Sequence, residues 1–493
     1  MKIGFDNERY ITLQAQRIRE RMAQFGGKLY LEFGGKLFDD YHASRVLPGF
    51  APDAKVSMLK QLRDEVEIIM VINANDIEKN KIRGDLGITY DEDLLRLMDV
   101  LRSMGFVSSG VVITQYAKQT QADVFRHRLE SLGIPSYLHY NIPGYPFDMD
   151  RIVSNEGFGR NEYVRTERPL VVVTAPGPGS GKMATCLSQL YHDHQRGIQA
   201  GYAKYETFPI WNLPLRHPVN IAYEAATVDL DDANTIDPFH WDAYNETTVN
   251  YNRDVEIFPV LRAMMEKILG KSPYQSPTDM GVNMAGYGIV DDEAVREAAK
   301  MEIVRRYYRA AANLKQTGTG TADVEKLEML MNQAGVNASY SPARSAALLR
   351  EDTTGNPAGA MILPDGSVIT GKTSGLLGAA SSLLMNALKA VSGVDDEIDV
   401  ICDEVIEPIC QLKTNVLASK NPRLHSDETL LALSVSSATD PLAARLIEHV
   451  HDLHGCDAYF SVIISSADEK LYRTLGINVC CEPKYEQHRY YHK

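Results

Sequence analysis

The sequence predicts an α/β protein. It has a mostly parallel N-terminal sheet with a phosphate-loop-like turn, a helical middle region and a C-terminal α/β or α+β domain. Three observations predict it. Short β-branched runs alternate with helical segments through the first third of the chain. One of these runs, Leu170-Val171-Val172-Val173-Thr174-Ala175, feeds a Gly/Pro loop that opens a helix. Hydrophobic residues make up 44% of the 493 positions and charged residues 24%, an ordinary balance that supplies a large core for two to four domains. Apolar strands separated by helices are the pattern of a parallel sheet covered on both faces.

The elements follow in order. Leu29–Phe33 reads as a strand and ends in Gly34-Gly35-Lys36. Glu67–Ile72 and Val111–Thr114 are further strands, and Ser136–His139 follows a charged helix over about 121–132. Leu170–Ala175 precedes a helix over about 184–196, and the next strand, near Gly201–Thr207, alternates Lys204 and Glu206 with tyrosines. In such sheets ligands gather beyond the C-terminal strand ends. That rule places Gly34-Gly35-Lys36, Asn73-Ala74-Asn75-Asp76 and the 176–182 loop along one edge. Helical spacing marks 255–269, 291–315 and 321–334. The Gly-rich, polar stretch 276–288 between them reads as a connector or a ligand loop, with Asp279, Asn283 and Arg305 or Arg306 as contacts. From about 355 the pattern is mixed: a hairpin, a long helix over 373–391, strands at 398–401, 458–464 and 477–480, and helices near Pro408, Asp427 and Pro441. The domain bounds expected are 1–245, 246–350 and 351–493.

The loop Pro176-Gly177-Pro178-Gly179-Ser180-Gly181-Lys182 carries the clearest chemistry. A strand, a glycine loop, a lysine and a helix N-terminus together cradle phosphate, because free N–H groups, the helix dipole and the ammonium all favour an anion. The nucleotide-binding motif has Gly six places before the lysine and Ser or Thr just after it. Here those places hold Pro176 and Met183, so the magnesium-binding hydroxyl falls to Thr185 or Ser180. The plainer alternative is a Gly-rich turn without a ligand. Gly366–Thr373 matches the motif literally, but Pro364-Asp365-Gly366 is a tight-turn signature and Val368-Ile369-Thr370 is β-branched. It is predicted to be a hairpin strand. One carboxylate of Glu224–Asp232 is a metal candidate, against a helix with an acidic end.

The formal net charge of −14 argues against a nucleic-acid partner, and the chain has no apolar run of membrane-spanning length. The six cysteines form no C-x-x-C pair, as expected of buried thiols in a reducing compartment, and the cytoplasm is the expected location. Met264, Met265, Met301, Met329 and Met331 on the middle helices point either to a core or to a twofold homodimer.

The runs 30–50, Phe208-Pro209-Ile210-Trp211-Asn212-Leu213-Pro214 and Asn421-Pro422-Arg423-Leu424-His425-Ser426-Asp427-Glu428 resemble a bacterial family, uncharacterised protein family 0371 or domain of unknown function family 1846. The resemblance covers nearly the whole chain. Some members carry the label ATP-dependent peptidase, for which the sequence offers no Ser-His-Asp or metal-protease signature. Residues 170–212 are also similar to the phosphate-loop cores of CTP synthetase and dethiobiotin synthetase. That likeness implies phosphate contacts for Lys182 and Lys204, with Met183 departing from the hydroxyl residue of those families. The expected function is an enzyme acting on a nucleotide or phosphometabolite, by phosphoryl transfer or ATP-driven ligation. The alternative is a non-catalytic nucleotide- or metabolite-binding oligomer. Lys182, Lys204 and Asp76 are the candidate catalytic residues. Gly177, Gly179, Ser180, Gly181, Lys182, Thr185 and Lys36 are the candidate binding residues, with ATP or another phosphorylated ligand as the cofactor and magnesium as its companion.

Overall fold

A computed structural model describes residues 2–35, 37–38, 40–83 and 87–486. These fall into two compact units, one spanning 3–298 and the other from 299 onward.

The N-terminal unit is built on a seven-stranded sheet. Its strands are β1 (Leu29–Phe33), β2 (Val66–Asn73), β3 (Val107–Tyr116), β4 (Ser136–Tyr140), β5 (Leu170–Thr174), β6 (Gly201–Tyr205) and β7 (Gly281–Val282). Their order is β7-β6-β1-β5-β2-β3-β4, and every neighbouring pair is parallel. Every residue of β1, β2 and β5 is buried, which is why these strands read as largely apolar runs rather than alternating ones.

The order of the strands fixes where a ligand can sit. The chain leaves β1 and crosses β5 to reach β2, whereas it leaves β5 and crosses β1 to reach β6. Right-handed crossovers in opposite directions lie on opposite faces, so the C-terminal ends of β1 and β5 open a crevice between them. The helix after β5, α1 (Lys182–Gln195), buries Cys186, Leu187 and Leu190 in one core cluster with Tyr30, Val171, Val173 and Tyr202 of the sheet. A later helix, α2 (Asn252–Leu269), adds Phe258, Leu261, Met264 and Met265 to the same cluster. Two of the five methionines raised for self-association are therefore core residues, and Met331 is buried too, whereas Met329 is exposed.

The stretch 276–288 is more than a connector. Gly281 and Val282 form the edge strand β7, and Asn283 donates to the carbonyls of Thr207 and Pro209 at 3.2 and 3.0 Å. Asp279 accepts from Tyr244 and from the amide of Gln275.

The C-terminal unit holds a four-stranded mixed sheet. Its strands are β8 (Ala358–Ile362), β9 (Val368–Lys372), β10 (Asp457–Phe460) and β11 (Asn478–Cys481), in the order β9-β8-β10-β11. The literal motif at 366–373 is the antiparallel hairpin β8–β9, closed by a turn at 364–366. Its backbone groups serve the ladder, and a Cβ on Gly371 would lie 2.3 Å from the Leu383 backbone nitrogen. That glycine admits a helix rather than a phosphate. The helix, α3 (Ala379–Ser392), begins six residues later than predicted, because Ser374 bonds to Leu377 in a local turn and Leu377 bridges to Leu424. The apolar run 398–401 is not a strand. Arg305 pairs with Glu302 and Asp457, and Arg306 with Glu302.

Candidate functional site

The 176–182 loop is held open by two side chains from the neighbouring strand ends. Asn73, the last residue of β2, donates to the Gly179 carbonyl at 3.2 Å. Thr114 on β3 donates to the Ser180 carbonyl at 2.5 Å. In a trans peptide the carbonyl and the following N–H point in opposite directions. Fixing these two carbonyls toward β2 and β3 therefore turns the amides of Ser180 and Gly181 the other way. The amides of Gly179, Ser180 and Gly181, and those of Lys182, Met183 and Ala184 in the first turn of α1, donate to no described residue. Gly179 and Gly181 hold φ of +71° and +91°, a region where a side chain is strained. Gly177 is needed for a different reason. A Cβ there would lie 2.6 Å from the Tyr90 ring.

Lys182 opens α1 and makes no hydrogen bond or ion pair with any described residue. Burial pushes its ammonium pKa below the ordinary value, with Lys204 pushing the same way and the Glu32 carboxylate opposing. The buried Ser180 hydroxyl has no partner either. An unmatched cation, an orphan hydroxyl and a run of free amides converge here. Together they make this end of the loop electropositive and rich in free donors.

They open onto a cavity of about 650 Å³. Its polar wall carries Glu32, Thr114, Ser180, Lys182, Lys204 and Asp254, and its apolar wall includes Ile142, Tyr145, Phe158, Met183, Ile257 and Leu261. Lys204 does line the cavity, but it is already engaged. It bonds to Asp254 and Tyr251 and pairs with Glu206 at 2.7 Å. Burial alone would lower its pKa, yet Asp254, Glu206 and Glu32 together hold it well above the ordinary value. Burial in turn pushes Glu206 up to about 7. His139, also in the wall, donates through Nε2 to the Glu162 carbonyl at 3.1 Å, and burial lowers its pKa to about 4. A carbonyl only accepts, so Nε2 carries the proton and Nδ1 of the neutral ring is a lone-pair acceptor.

The structure brings together Gly179, Ser180, Gly181, Lys182 and Lys204 of the predicted residues. It separates others. Asp76 follows β2 as predicted, but it pairs with Lys81 at 3.2 Å and does not line the cavity. Thr185 is fully buried, does not line the cavity, and returns its hydroxyl to the Gly181 carbonyl at 3.0 Å. Lys36 lies outside the described residues. Asp232 is held by Arg253, and Glu224 accepts from the Asn234 amide. Among the described residues no group of three His, Cys, Asp or Glu side chains is placed to hold a metal. Sequence reasoning missed the clamping role of Thr114 and Asn73, and it missed Tyr251, Asp254 and His139 altogether.

In the C-terminal unit His425, Ser465 and Asp468 meet, but not as a protease triad. Ser465 Oγ and Asp468 Oδ2 approach the same ring nitrogen, Nδ1, each at 3.2 Å. A proton relay needs them on opposite nitrogens. Ser465 instead caps helix Ser466–Thr474, and Asp468 accepts from the amide and hydroxyl of Ser426. The cluster is a structural clamp.

Among the described residues no helix is long and apolar enough to cross a membrane. Comparison with known proteins gives concordant matches along the chain. Residues 3–335 match the family described as domain of unknown function DUF1846, N-terminal, and residues 339–491 match domain of unknown function DUF1846, C-terminal. A UPF0371 protein of Corynebacterium diphtheriae is 58% identical over 492 residues, covering 100% of this chain and 99% of its own. UPF0371 proteins of Corynebacterium efficiens and Streptococcus pneumoniae serotype 19F are 56% and 54% identical, each covering 100% of both chains.

Proposed function

The chain belongs to the DUF1846 family, and for this member we propose that the β5–α1 loop binds a phosphorylated small molecule. The observation that carries the reading is the run of unpartnered amides from Gly179 to Ala184 beside an unmatched Lys182. Free amides at a helix N-terminus are ordinary where water covers them. Here they adjoin a half-buried lysine and an orphan hydroxyl in the wall of a cavity large enough for a nucleotide. The orphan hydroxyl is costly unpaired, and a bound anion would satisfy it together with the amides and the ammonium.

The reading is stronger for binding than for turnover of a triphosphate. Met183 stands where a hydroxyl would hold magnesium, the Thr185 hydroxyl is committed to its own helix, and Asp76 lies away from the cavity. The donor set thus does not fit a protein-held magnesium ion of the phosphate-loop kind. Phosphoryl transfer or ATP-driven ligation at this site therefore has less support than ligand binding.

Isothermal calorimetry with inorganic phosphate, AMP and ATP tests the proposal. Saturable binding of at least one of them is expected. A folded protein that binds none would overturn it.

A further inference from the structure

We infer that the cradle takes a ligand that carries a single phosphoryl group and a planar or apolar body, and that it disfavours a nucleoside triphosphate. This rests on the phosphate-cradle reading above and specifies its ligand class.

The charge around the cavity makes the first half of the argument. Three cationic side chains line it among the described residues: Lys182, Lys204 and Arg253. Arg253 is held by Asp232 through two contacts, at 2.5 and 2.7 Å. Lys204 is held by Asp254 and Glu206. Only Lys182 is unmatched. The same walls present two carboxylates, Glu32 and Asp254. A phosphomonoester dianion is balanced by one ammonium together with free amides and the positive end of the helix dipole. Further phosphoryl groups would bring charge that meets Glu32 and Asp254, with no remaining cation to answer it. Size does not make this selection, because about 650 Å³ would admit either ligand.

The apolar wall makes the second half. Met183 directly follows the anchoring lysine, lines the cavity and packs against the core cluster alongside Ile142, Tyr145 and Ile257. An apolar surface thus begins one residue from the anion seat, so a planar or apolar body carried by the ligand meets hydrocarbon and aromatic faces. Such faces suit a planar ring better than a polyol.

The test titrates AMP, ATP and glycerol 3-phosphate into the full chain by calorimetry, with and without magnesium. Wild type is compared with Asp254→Asn, which leaves Lys204 one carboxylate short. The expected result is AMP at least tenfold tighter than both other ligands, with the AMP-to-ATP ratio narrowed at least threefold in the variant. If Asp254→Asn does not fold, Glu32→Gln reads the same ratio. ATP binding as tightly as AMP, in either condition, overturns the charge argument and leaves the cradle standing. Glycerol 3-phosphate binding as tightly as AMP overturns the apolar-body argument. A folded wild type that binds none of the three overturns both the inference and the reading beneath it.

Discussion

Replacing Thr114 with valine removes one hydroxyl and keeps the shape of the side chain. Thr114 is buried, and its hydroxyl hydrogen goes to the Ser180 carbonyl at 2.5 Å, with the Ile72 carbonyl farther off at 3.3 Å. In the variant the Ser180 carbonyl loses its donor, and a group left unsatisfied in a buried place costs about 1–3 kcal/mol. Valine fills the same volume, so no cavity term is added. The Ser180–Gly181 peptide is then free to rotate, which turns the Gly181 amide away from the anion seat. The ligand must reorder it on binding. The affinity for whichever phosphate ligand wild type binds should fall by roughly 5- to 150-fold, the same free energy expressed as a ratio. Calorimetry on both proteins measures this, and circular dichroism confirms the fold. Affinity within twofold of wild type would refute the argument that this threonine aims the loop.

Two further outcomes follow from the same structure. Lys372→Ala should leave phosphate-ligand affinity within about threefold, less than one 1.4 kcal/mol step, because Lys372 ends a hairpin strand; a larger loss in calorimetry would return the literal motif to consideration. His139→Gln should flatten the acid limb of thermal stability. Burial depresses the histidine to about 4, so its contribution is present above the ordinary value of 6.5 and is lost as pH falls toward 4. The advantage of wild type over the variant should shrink by up to roughly 3 kcal/mol across that window, and parallel melting curves from pH 7 to 4 would contradict the assignment.

The sheet was legible because its strands announce themselves. Val171-Val172-Val173 and Ile68-Ile69-Met70-Val71-Ile72 are buried on both faces, and only continuous apolar sequence satisfies that. The loop was legible because glycine is needed at φ of +71° and +91° and because lysine opens the helix. Pro364-Asp365-Gly366 identified the hairpin correctly against a literal motif, since turn chemistry is local. Other features were not local. β7 has two residues, one of them glycine, and is a strand only because the edge of β6 offers it partners. Residues 398–401 have strand-like composition but lie in no sheet. Asp76 was placed at the right strand end, yet a short helix over Ala74–Glu78 and an ion pair with Lys81 direct it elsewhere. Asp254 and Tyr251 come from a segment some 50 residues beyond Lys204, and no spacing rule links them to it.

The central claim is that Lys182 and the amides beside it form an anion seat. The most direct test is a calorimetric comparison of wild type with Lys182→Ala, titrated with inorganic phosphate and AMP at low salt. Removing the only unmatched cation in the described cavity wall should cost about 1.5–3 kcal/mol, roughly 10- to 150-fold in affinity, as for other hydrogen bonds to charged groups. The melting temperature should not fall, because Lys182 is only half-buried and makes no hydrogen bond or ion pair with a described residue. That combination, weaker binding with retained or raised stability, is what the account predicts. Unchanged affinity for both ligands, or lost affinity only alongside a collapse in stability, would contradict it.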